Sequence, residues 1–174
     1  MKISMYNMTV PLFIKALVNM RSILDKAEEY AEEKGFEQSY LLDVRLYPDK
    51  YPLYSQIRIA SIEATGAPAR LAGIDAPKFK DKDNEPSIED LKSRINRTIV
   101  FLKSIKAKDI DGTEEKRIPI SFKPGKYLTG LEYITEMVLP NFYFHITTAY
   151  SILRHNGLDI GKKDYLGEIG LKDE

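Results

Sequence analysis

The chain is 174 residues long, 43% hydrophobic and 30% charged, with 26 basic residues balanced by 26 acidic ones and no cysteine. That is the length of one ordinary domain, 1–174, with the composition of a folded globular protein, neither disordered nor membrane-spanning. Zero net charge supplies no field to gather nucleic acid or an anionic membrane, and the lack of cysteine excludes disulfides, thiolate ligands and a cysteine nucleophile.

Met1 to Tyr6 lacks the charged-then-apolar pattern of a secretory signal, and no apolar run approaches the ~20 residues of a span, so a cytoplasmic setting is expected. From about Met5 to Lys34, apolar residues fall at Phe13, Ala16, Leu17, Met20, Ile23, Leu24, Ala27 and Ala31. Gaps of three and four predict one long amphipathic helix, with Pro11 at its first turn or at a tolerated kink and Gly35 at its end. Ser39 to Leu46 reads as a short helical piece closed by Tyr47-Pro48. A second long helix is predicted from about Pro52 to Leu71, with Ile57, Ala60 and Ala64 inward and Pro68 breaking or bending its last turn. Gly73 to Pro86 is a polar connection, and its Lys78 to Asp83 run reads as a solvated loop. Ser87 is a good N-cap with Asp90 three residues on, opening a third helix whose stripe is Ile88, Leu91, Ile95, Ile99 and Leu102.

After Asp111-Gly112 the period changes. Arg117 to Lys123 alternates, Pro124-Gly125 signals a turn and Lys126 to Thr129 returns, predicting a small hairpin that Pro119 confines to an edge. Leu131 to Leu139 reads as a short apolar helix. A last helix is predicted to start at Pro140 and to stop at Asn156-Gly157. The tail from Leu158 is expected to lie across the bundle or to be mobile. Four long amphipathic segments argue for an all-α four-helix bundle with a small β-hairpin before the last helix.

The last helix carries the functional signal. Asn141 and His145 are four residues apart, one turn along the same face, which is the spacing at which two imidazoles grip one ion. The first of the two is an amide. Thr148 extends that face. On the second helix Gln56 shares a face with Ala60 and Glu63. A pocket lined by Gln56, Asn141 and His145, with Glu63 and Thr148 as neighbours, is therefore expected to take a small-molecule ligand.

His155, at the end of the same helix, suits a capping or surface role beside the negative end of the dipole. Phe142, Tyr143, Phe144 and Tyr150 read as core or dimer contacts, and Asp43 and Arg45 as loop-fixing groups. Ser61 and Thr148 lack a histidine–acid arrangement that would make either a nucleophile.

The stretch from His145 through Arg154 to Asn156-Gly157 resembles the last helix of the DinB/YfiT-like superfamily. Ser4-Met5-Tyr6, Leu42 to Asp49, and Pro140 to Gly157 are similar to an uncharacterised branch of it, a domain-of-unknown-function family. The resemblance implies an up-down-down-up bundle, usually a homodimer. It also implies a divalent metal, Zn²⁺ or Ni²⁺, on one histidine of the second helix and an H-x-x-x-H pair of the last, which in some members serves a thiol-dependent transferase. Carried over, His145 matches the second histidine of the pair, Asn141 stands for the first and Gln56 for the one on the second helix. One imidazole and two amides make a weak, neutral set for either metal.

Three readings follow. The first is a degenerate metal site that binds a small ligand, with no cofactor expected. The second is a metal-dependent thiol transferase in which a substrate thiolate completes the coordination. The third is a structural or stress-related interaction protein whose polar trio is only a satisfied buried network.

Overall fold

A computed structural model describes residues 4–79 and 87–173. Four long helices carry the fold: α1 (Val10–Lys34), α3 (Leu53–Ala72), α4 (Ile88–Ser104) and α7 (Leu139–His155). Between them lie α2 (Ser39–Asp43), α5 (Ala107–Ile110), α6 (Gly130–Glu132) and an antiparallel ribbon of β1 (Ile118–Pro119) with β2 (Tyr127–Leu128). A short α8 (Lys162–Leu166) follows α7.

Contacts between helices fix their directions. Arg21 bonds Asn96 while Lys92 reaches back to Asp25 and Glu28, so α1 and α4 are antiparallel. Phe13 packs on Phe142 and Tyr30 bonds the Asn156 carbonyl, so α1 and α7 are parallel. Gln56 meets His145 and Glu63 meets Asn141, so α3 runs against α7. The order along the chain is up, down, down, up.

The apolar stripes close the core between these helices. Phe13, Leu17, Met20, Ile23, Leu24, Ala27 and Ala31 of α1 are all buried, as are Ile88, Leu91, Ile95, Ile99 and Leu102 of α4. Each large side chain removed from water in this way stabilises the fold by roughly 1.5–3 kcal/mol.

Local signals set most of the boundaries. Pro11 lies in the first turn of α1, and Ser87 and Asp90 cap α4 reciprocally. Gly157, at φ +97°, ends α7, with the Gly157 and Leu158 amides returning to Arg154 and Leu153 carbonyls. The tail crosses the bundle: Lys26 pairs with Asp164 at 2.6 Å and Asn19 bonds the Tyr165 carbonyl.

One expectation needs correction and two gain detail. Pro68 does not break its helix, which continues to Ala72. The buried Ala64, Ala67, Ala69 and Leu71 around it offset the ~3 kcal/mol an interior proline costs. Pro140 lies in the first turn of α7, as expected, but the helical backbone does not begin there. The chain is already helical from Gly130, through α6 and a π-helical stretch, Tyr133–Val138, in which the Leu139 amide donates to the Ile134 carbonyl five residues back. The wider π turn reaches the junction where Pro140 supplies no N–H, so no break is needed. The expected small hairpin is present and pairs Ile118 with Leu128 and Pro119 with Tyr127.

Of the Lys78 to Asp83 run, Lys78 is exposed, and residues 80–83 lie outside the described residues. Among the described residues no helix is long and apolar enough to cross a membrane.

Candidate functional site

Gln56 lies in the first turn of α3, its amide N–H bonded to the Pro52 carbonyl, and it is 1% exposed. The α3–α7 packing sets it opposite His145, which is 7% exposed. Gln56 Oε1 and His145 Nδ1 are 2.7 Å apart in a hydrogen bond. The other end of the Gln56 amide, Nε2, donates to the Tyr51 carbonyl at 2.8 Å. His145 Nε2 has no hydrogen-bond partner among the described residues. Every side-chain nitrogen or oxygen sealed from solvent among them does have a partner, so Nε2 is open to solvent.

Two turns along α3, the Glu63 carboxyl faces the Asn141 amide. Burial holds the Glu63 carboxyl above its ordinary 4.5, and the Arg70 guanidinium and the Asn141 amide pull it back in part. Two further turns on, Arg70 Nη1 donates to the hydroxyl of buried Tyr133 at 2.9 Å. Gln56, Glu63 and Arg70 repeat every seven residues, giving α3 a polar seam against His145, Asn141 and Tyr133. Burial also holds the His145 imidazole below its ordinary 6.5.

The expected site residues therefore form two pairs, Gln56 with His145 and Glu63 with Asn141. Thr148 joins neither, because its hydroxyl donates to the Phe144 carbonyl of its own helix at 2.6 Å. Ser61 likewise bonds back to the Ile57 carbonyl. Arg45 donates to the Lys50 carbonyl and fixes its loop. His155 is exposed in the last turn of α7. Phe142 is core, whereas Phe144 is half exposed, standing edge-on to the His145 ring with Lys50 Nζ 4.9 Å from its own ring centre.

Sequence reasoning missed Arg70 and Tyr133, although the seven-residue spacing of Gln56, Glu63 and Arg70 was a readable signal. It also missed a cleft of about 840 Å³ on the far flank of α3, bordered by Arg58, Ile62, Thr65, Arg70 and Arg94. Gln56, Glu63, Asn141, His145 and Thr148 do not line that cleft, which meets the seam only at Arg70.

The donors present do not fit a divalent transition metal. Gln56 Oε1 is already bonded to the imidazole, Asn141 offers a neutral amide, and His145 Nε2 and the Glu63 carboxylate make two ligands of the kind such ions favour where a closed site needs at least three. Among the described residues no three histidine, aspartate or glutamate side chains gather as a cation site.

A family model described as "Domain of unknown function (DUF1993)" matches residues 5–166. Among solved structures, a DinB family member protein from Shewanella denitrificans is 42% identical, with a TM-score of 0.91, over 97% of this chain and 95% of that one. No curated protein matches the chain.

Proposed function

From the premise that the chain belongs to the DUF1993 family and has the DinB bundle, we propose that it binds a small molecule where α3 meets α7, anchored on His145 and without a resident metal. One observation carries this reading: Nε2 of an otherwise buried histidine is unpartnered and reaches solvent. Water can satisfy that nitrogen while the site is empty, and a ligand's hydrogen-bond donor can take the water's place. The homodimer implied by the family likeness is proposed with it.

The structural reading keeps one observation of its own, since the Gln56–His145 bond satisfies two buried groups at once. A small-fragment screen by thermal shift, run in a chelating buffer on wild type and His145→Ala, separates the two. The ligand reading predicts fragments that stabilise wild type with chelator present and do not stabilise the variant. Stabilisation seen only after Zn²⁺ is restored supports the transferase. A variant that merely melts lower, with no fragment acting on either protein, supports the structural role.

A further inference from the structure

The orientation of one amide decides what His145 presents. A carbonyl oxygen can only accept, so the Tyr51 carbonyl 2.8 Å away must face the NH₂ end of Gln56. The opposite end of that amide, facing His145 Nδ1 at 2.7 Å, is then the oxygen, which also can only accept. Nδ1 therefore carries the proton, and the neutral ring holds its lone pair at Nε2, the nitrogen open to solvent.

Asn141, one helical turn (about 5.4 Å) along α7, faces the Glu63 carboxylate, which can meet only its NH₂ end and so leaves Oδ1 as a further acceptor. Glu63 itself accepts. Among the described residues the strongest donor on the seam is the Arg70 guanidinium, which gives one of its N–H groups to the Tyr133 hydroxyl two turns of α3 beyond Glu63.

Resting on the ligand-site reading, we infer that Gln56 is a positioning residue that locks His145 as the Nδ1–H tautomer. The site thereby selects a small hydrogen-bond donor, an alcohol, a thiol or an ammonium, over a carboxylate or a phosphate. Nε2 disfavours anions, because an oxygen brought to it faces a lone pair rather than an N–H.

Long-range ¹H–¹⁵N spectra of ¹⁵N-labelled protein test this directly, at a pH where the ring is neutral. The chain has two histidines, and exposed His155 is the internal reference. Expected are a protonated Nδ1 and a bare Nε2 at His145. Gln56→Leu should move the ring toward the Nε2–H form that free histidine favours, and Gln56→Glu, which keeps an acceptor, should restore Nδ1–H. A residue that only filled space would leave the tautomer unchanged.

In the second arm, 2-mercaptoethanol and ethanolamine should shift Nε2 saturably, at least about tenfold more tightly than acetate or phosphate. A protonated Nε2 in wild type overturns the inference, as do anions that bind as well as donors; in both cases the ligand site itself stands. The expected tautomer with no response to any probe overturns the donor selection and the ligand-site reading together.

Discussion

Gln56 and His145 stand 89 residues apart in the chain, yet they share a 2.7 Å hydrogen bond inside the bundle, and the Tyr51 carbonyl holds the glutamine from its other side. Removing the glutamine side-chain amide leaves the buried Nδ1 edge of the ring and the Tyr51 carbonyl without their partner. Gln56→Leu should therefore destabilise the fold by about 1–3 kcal/mol, read from urea unfolding midpoints. A loss below a few tenths of a kcal/mol would mean that the bond contributes nothing to the fold.

The two halves of this relationship differ in how legible they were. The apolar stripes, the Ser87–Asp90 cap and the Gly157 stop are local patterns, and the helices form where those patterns place them. The spacing of Asn141 and His145 is likewise local. Which glutamine or glutamate each one meets depends on the register of two antiparallel helices, which no local pattern encodes. Hence Gln56 and Asn141 read as co-ligands, whereas they bond to different partners. Pro140 marks the first turn of α7 but not the start of the helical backbone. Proline usually marks a helix start, and only the π-helical stretch before it lets the helix run through.

Acid sensitivity should trace to His145. Its folded pKa lies below 6.5, so below that value the unfolded chain takes up a proton that the folded chain refuses. The stability is complete above 6.5 and is lost as pH falls toward the folded pKa. His145→Gln should flatten this limb in urea midpoints taken across a pH series.

Glu63 carries the opposite sign. Its folded pKa lies above 4.5, so its cost is absent at low pH and grows as pH rises from 4.5 through the folded value. Glu63→Gln keeps an acceptor for Asn141 and should remove that loss, leaving the variant relatively more stable at neutral pH than in acid.

Gly130 has a steric role. A Cβ there would overlap the Thr113 carbonyl and press on Leu71. Gly130→Ala should cost about 1–3 kcal/mol, because the obstruction is backbone and cannot rotate away. Gly66→Ala serves as the control, since a Cβ there meets nothing within 4 Å, and helix propensity favours it by up to about 1 kcal/mol.

The central claim is that this bundle presents a single imidazole acceptor where a metal centre would need three. Calorimetric titration of Zn²⁺ into tag-free wild type and into the Gln56→His/Asn141→His double variant tests it most directly. The account predicts no binding tighter than about millimolar in wild type and a gain of at least about a thousandfold in the double variant, where three imidazoles face one another. Wild-type protein that binds Zn²⁺ stoichiometrically, as tightly as the double variant and dependent on His145, would contradict it.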